Sequence, residues 1–365
     1  MHDIILANNK TKGKSLLRRI NRKNSLFLCT IGITETAKIQ GISAAGENPE
    51  ITDYTPPADV ELLHLGKCKC IPGVPVTPDG IPTPALITMS ALKLADIPIL
   101  VISAGLKIKP NVPFVDLGGK PGKDIRTGRA VENAEEVLNK AKIVGENLSK
   151  TVDYLVIGES IPGGTTTTLS VLMAMGFDAE GKVSSSMPNN PHLLKIKTAK
   201  EGIKAAGIKL GDLAEDPLEA ISKLGDPMQP ALAGLALGAA NKVPVILAGG
   251  TQMAAVLAIV NGLKPKVVDN LAIGTTRWII NDLNSNLIDL VNQIADIPIF
   301  AANLNFTESE LEGLKAYEKG IVKEGVGCGG ATISAILKHD GKITKEEMLN
   351  QIEINYKKLI GLSKR

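Results

Sequence analysis

YLVIGESIPGGTTTTLSVLMAM, Tyr154 to Met175, decides the fold. Tyr154 to Ile157 is a short apolar run of the kind that forms a buried parallel strand. Gly158 to Thr168 interrupts it with three glycines, a proline and four consecutive threonines. From Leu169 the apolar positions Leu169, Leu172 and Met173 return at helical spacing. A strand, a glycine-rich turn and a helix start present unpaired N–H groups and the positive end of the helix dipole. A phosphate is therefore expected against Gly163, Gly164 and Thr165, with a threonine-capped turn that binds nothing as the plain alternative. A nucleoside-triphosphate loop is disfavoured, because Gly164 stands where G-x-x-x-x-G-K-[ST] requires lysine.

Outward from this stretch, apolar strand-like runs alternate with helical patterns. Ser25 to Ile33, Pro98 to Ser103, Val112 to Leu117, Val243 to Leu247, Val267 to Ile273 and Pro298 to Ala301 read as strands. Ala85 to Ala95, Val131 to Leu148, Leu193 to Ala206, Pro230 to Ala240 and Gln252 to Val260 read as helices. Leu62 to Val76, with Cys68 and Cys70, reads as loop. The expected fold is α/β: a doubly wound, mostly parallel Rossmann-like sheet, with a smaller helical part from the two chain ends. The expected division is 1–72, 73–305 and 306–365. Small residues follow four strand ends, at Gly163–Thr168, Ser184–Ser186, Gly249–Thr251 and Gly274–Thr276. In a parallel sheet such ends share one edge, where ligands bind; Asp116 closes another strand there.

The 365 residues carry 44% hydrophobic and 22% charged side chains and a net charge of +3, which argues against general nucleic-acid binding. Lys10 to Lys23 is a local basic run with two readings, an anion or RNA patch or a solvated helix face around Leu16, Leu17 and Ile20; the absence of interleaved aromatic residues favours the second. Four irregularly spaced cysteines form neither a disulfide framework nor a set with metal-ligand spacing. No signal-peptide core and no uninterrupted membrane-length apolar run is present, so a reduced, cytoplasmic setting is expected.

Lys323 to Ala331 reads KEGVGCGGA and holds a formal G-x-G-x-x-G in Gly325, Gly327 and Gly330. Two helices and no further strand are expected after it, so a dinucleotide site is disfavoured. Glu324 has two readings here: a solvated charge, or a general base if an apolar site raises its pKa towards neutrality.

Taken together, five stretches in order make the chain resemble the nicotinate-nucleotide:dimethylbenzimidazole phosphoribosyltransferase family, in a divergent archaeal form. GESIPGGTTTT resembles the family's GEMGIGNTT loop, and KEGVGCGGA its GEGTGA motif. VPVTPDGIPTPALITM resembles the wall of the base pocket, VPFVDLGG a strand end, and PVILAGGTQMAAVLA a strand–helix element. The resemblance implies transfer of ribose 5-phosphate from nicotinate mononucleotide to a benzimidazole-type base, with inversion at C1, by a cytoplasmic homodimer. Glu324 matches the catalytic base and Glu159 a second active-site glutamate. Gly163, Gly164, Thr165 and Thr166 match the phosphate and ribose loop. Lys195 matches a lysine facing the nucleotide, with a plain surface lysine as the alternative. Ser185, Ser186, Thr275 and Thr276 are further matches on that side, and Pro82, Thr83 and Thr88 fall on the base pocket. No cofactor or metal is implied, since N–H groups and one lysine neutralise a monophosphate. Gly249 replaces an aspartate of the family pattern, Ile81 a tyrosine and Thr88 a glutamine, which reshapes the pocket. The Ala/Gly-rich Pro230–Ala240 helix is suited to close packing, including at a subunit interface.

Overall fold

The computed structural model describes residues 2–44, 49–73, 75–76, 80–187 and 189–363. Val74 and Thr77 to Asp79 of the expected pocket wall, and Pro188 of the serine loop, lie outside them. Eight strands are described: β1 (Ile4–Asn8), β2 (Ser25–Gly32), β3 (Ile99–Gly105), β4 (Val115–Asp116), β5 (Tyr154–Ser160), β6 (Val245–Ala248), β7 (Leu271–Thr276) and β8 (Ile299–Ala302). They form one sheet in the order β1-β8-β7-β6-β5-β2-β3-β4. Every neighbouring pair is parallel except β1, which runs antiparallel to β8. Apolar cores lie on both faces, so the central strands carry unbroken apolar runs, as in Leu155, Val156 and Ile157. The doubly wound α/β expectation is met.

Strand order reverses between β2 and β5. From β2 the sheet grows through β3 to β4, and from β5 it grows the other way through β6, β7 and β8. Ligands of open α/β sheets bind outside the carboxyl ends of the strands at such a switch. Here Thr30 lies opposite Glu159 and Ile31 opposite Ser160. The helix Thr55–Leu65, between β2 and β3, covers one face of this point. The helix Gly164–Ala174, directly after β5, covers the other.

Several local expectations need correction. The stretch Leu62 to Leu65 closes the helix Thr55–Leu65 instead of opening a loop. Its Thr-Pro-Pro start resembles a breaker, but proline suits the first helical turn, whose N–H groups have no partner. Val267 to Asn270 belongs to a short 3₁₀ segment that begins at Pro265, and β7 starts only at Leu271. Thr275 and Thr276 are therefore inside the strand and fully buried, not on a loop after it. Asp116 ends the edge strand β4, is exposed, and turns back to accept from the Gly118 N–H at 2.8 Å, so it faces no cleft. The Ala/Gly-rich helix, here Met228–Ala239, is fully buried against the helix Ala134–Leu148 of its own chain, so it offers no face to a second subunit.

Candidate active site

A cleft of about 890 Å³ opens at the β2/β5 switch. Its floor is the end of β5, Glu159 and Ser160, followed by Ile161 to Thr165. Gly163 takes φ +80°, and a Cβ there would lie 2.9 Å from the Ala37 Cα, so the turn is pressed against the segment after β2. The helix begins at Gly164 without a side-chain cap, which leaves its first N–H groups for a ligand. Ser184 to Ser186 and Gly250 to Gln252 form one wall; Ile81 to Pro84 forms another.

Glu324 enters from the loop before the helix Cys328–Lys338. The glycines around it serve close packing. Gly327 has φ +64°, and a Cβ on it would lie 3.0 Å from the Gly158 Cα; one on Gly329 would lie 2.1 Å from the Thr275 carbonyl carbon. The helix thus sits directly on the ends of β5 and β7, and Glu324 is brought to the same cleft as the Gly163–Thr165 turn. Its Oε1 accepts from the Gly329 N–H at 2.9 Å and from the Cys328 thiol at 3.5 Å. Among the described residues its Oε2 is shut off from solvent and has no hydrogen-bond partner. Burial raises this carboxyl to about 7, partly opposed by the Gly329 N–H and the Cys328 thiol. The result is a carboxylate half anchored and half free, poised to titrate near neutrality.

Glu159 is buried and accepts from the Ile161 N–H at 3.0 Å. Burial, then the charges of Glu324 and Asp226, raise its pKa well above the ordinary range.

Cations lie behind the serine wall. Lys195 is fully buried, and its Nζ donates to the Ser184 carbonyl at 2.7 Å. Burial, then the nearby Lys323 charge, lowers its pKa to about 7. Lys323 lines the cleft and pairs with Asp282 at 2.8 Å, both side chains 5% exposed. Of the residues singled out in the sequence, Glu324, Glu159, Gly163, Gly164, Thr165, Ser185, Ser186, Pro82 and Thr83 line the cleft together. Thr166, Lys195, Thr275, Thr276 and Thr88 lie behind its walls. Thr276 donates to the Lys323 carbonyl at 2.6 Å and Thr88 to the Val326 carbonyl at 2.9 Å, so both brace the loop that carries Glu324.

Three buried acids were not singled out. Asp59 lines the cleft; Asp226 caps the helix Met228–Ala239 and accepts from Thr167. Glu61 accepts from the N–H groups of Lys69, Cys70 and Asn111. Burial would raise Glu61, but those donors outweigh it and hold its pKa at about 2, pinning the Cys68–Cys70 loop. The signal for Asp59 and Glu61 is two acids inside the apolar run PPADVELLHL.

A family model described as "Phosphoribosyltransferase" matches residues 91–277. The UPF0284 protein of Sulfurisphaera tokodaii is 48% identical over 336 residues, covering 92% of this chain and 94% of that protein. The UPF0284 protein of Sulfolobus acidocaldarius is 45% identical over 352 residues, covering 95% and 100%.

The chain belongs to the nicotinate-nucleotide-dimethylbenzimidazole phosphoribosyltransferase family.

It is a divergent member of archaeal type. Within solved structures of the family, the phosphoribosyltransferase of that name from Thermus thermophilus superposes with a TM-score of 0.56 at 14% identity, over 89% of this chain and 88% of that one. CobT from the same organism gives 0.58 at 15% identity over 92% of each chain. At such identity the likeness is one of fold.

Proposed function

We propose that the protein transfers ribose 5-phosphate from nicotinate mononucleotide to a benzimidazole-type base, yielding an α-ribazole 5'-phosphate and nicotinate. One observation carries the reading: Glu324, a carboxyl raised to about 7 whose Oε2 has no partner among the described residues, lines the cleft that also holds the Gly163–Thr165 turn. The phosphate is assigned to the first-turn N–H groups and the serine wall, backed by Lys195. The pyridinium of the donor leaves without a strong acid. The attacking ring nitrogen forms the bond to C1 as the C1–nicotinate bond breaks, and the N–H proton of the base passes to Glu324. A positioned base supplies about 10²- to 10⁴-fold; holding both reactants in line supplies about 7–11 kcal/mol. Glu159, whose pKa burial and the charge of Glu324 push up, is assigned to a ribose oxygen in this reading.

The test is incubation of nicotinate mononucleotide with 5,6-dimethylbenzimidazole and related bases, with nicotinate and the ribosylated base followed by chromatography. Base-dependent nicotinate release supports the proposal. Nucleotide binding without turnover of any base contradicts it, and leaves a nucleotide-binding protein of the same fold. A homodimer belongs to the same reading; light scattering at the mass of one chain would remove it.

A further inference from the structure

Among the described residues, Asp59 is the one acid of the cleft wall that the transfer mechanism does not use. It projects from the helix Thr55–Leu65 and is 4% exposed. Its Oδ1 accepts from the Thr83 hydroxyl at 2.8 Å, and its Oδ2 from the Ser160 hydroxyl at 2.7 Å. It thereby ties the pocket wall Ile81–Pro84 to the end of β5. That wall reaches Glu324: a Cβ on Gly325 would lie 3.1 Å from the Pro84 Cγ. Among the described residues no cationic side chain pairs with Asp59.

A carboxylate oxygen accepts about two hydrogen bonds. Each oxygen of Asp59 receives one side-chain hydroxyl, so capacity remains on both. Around it the cleft is lined by Ala58, Ile81, Pro82 and Pro84, which suit the faces of a flat ring. A buried acid without a cation is costly to keep, and a wall built only to touch methyl groups has no use for one. In the same cleft the Glu324 Oε2 is a second buried acceptor awaiting a donor.

We propose that Asp59 is a specificity-determining residue: it accepts a hydrogen bond from the acceptor base, so the cleft favours planar bases bearing an O–H or N–H donor on the ring edge remote from the attacking nitrogen. The word acceptor rests on the transfer reading above; recognition of the donor-bearing edge does not. Thr83 and Ser160 hold the carboxylate in place, and Ile81 adds no polar side chain to that wall.

The experiment is calorimetric binding of two bases of similar size, 5-hydroxybenzimidazole and 5-methylbenzimidazole, to the full chain at pH 8. The wild type is expected to bind the hydroxylated base about 10- to 100-fold more tightly, the range for a hydrogen bond to a charged group. Asp59→Asn should reduce that preference below about threefold, with the larger loss falling on the hydroxylated base. Ser160→Ala, which frees Oδ2, should widen the preference, whereas a merely structural Asp59 would weaken both bases alike. Equal affinities in the wild type, equal losses in Asp59→Asn, or no binding of either base overturns the inference. Should Asp59→Asn fail to fold, the wild-type pair and Ser160→Ala still decide it. Donor preference without nicotinate release would sink the transfer reading alone, and release without donor preference would sink Asp59 alone.

Discussion

Glu324 and Lys195 are two ionisable side chains moved to the same pH region from opposite directions, both chiefly by burial. In the proposed transfer Glu324 works as a base only when ionised. The rate at low substrate should therefore rise with pH through about 7 and flatten above it. Steady-state kcat/KM between pH 5 and 9 checks this. Lys195 holds the Ser184 carbonyl and so shapes the serine wall. Lys195→Met should leave that buried oxygen unpaired, and unpaired buried groups cost about 1–3 kcal/mol. Nicotinate mononucleotide should then bind about tenfold or more weakly by calorimetry. Both residues could be picked from the sequence for different reasons. Glu324 stands beside a glycine run whose role, the close packing of Gly327 and Gly329 on β5 and β7, is set by the fold. Lys195 was picked by family likeness, yet the same sequence fits a surface lysine, and only the fold buries it.

Among the elements, the strand–turn–helix from Tyr154 was legible because its apolar run and its glycines leave little choice of conformation. The helix Thr55–Leu65 was not: a Pro-Pro pair is a general turn signal, although here Pro56 and Pro57 sit in the first turn. Asp59 and Glu61, which it carries, were missed with it. β1 was missed for another reason: five residues at a sheet edge, paired antiparallel on one side only, give too short a pattern. The Ala/Gly-rich helix was read correctly as close-packing, but its partner is internal. A Cβ on Gly234 would lie 2.3 Å from the Leu138 carbonyl oxygen, and one on Gly238 2.1 Å from that of Lys142. Gly238→Ala should thus destabilise the fold by about 1–3 kcal/mol through overpacking, read as a lower urea midpoint with an unchanged slope. An unchanged midpoint would mean that this helix pair separates more easily than its burial implies.

Across the whole molecule, burial of so many titratable groups around one cleft gives stability an unusual pH dependence. Asp59 and Asp226 are raised to about 6, and Glu324 to about 7, by burial. A carboxyl whose folded pKa exceeds its unfolded value stabilises most when protonated, so these contributions decline as pH rises from about 4 through 7. Lys195, lowered from 10.5 to about 7, acts in reverse: its penalty is relieved between pH 7 and about 10. Glu61, held at about 2, changes only at lower pH. Urea unfolding should therefore show stability falling between about pH 4 and 7, and Asp59→Asn should make that fall shallower. Bound nucleotide adds stability on top by mass action. The sheet order, and hence the β2/β5 switch that locates the cleft, could not be read from the sequence, because strand adjacency is set by long-range packing.

The most direct measurement is single-turnover release of nicotinate by the wild type and Glu324→Gln, with nucleotide affinity measured in parallel. The account predicts that Glu324→Gln binds nicotinate mononucleotide as tightly as the wild type, turns over about 10²- to 10⁴-fold more slowly, and loses the rise in rate near pH 7. A Glu324→Gln protein that releases nicotinate at the wild-type rate, with the same pH profile, would contradict it.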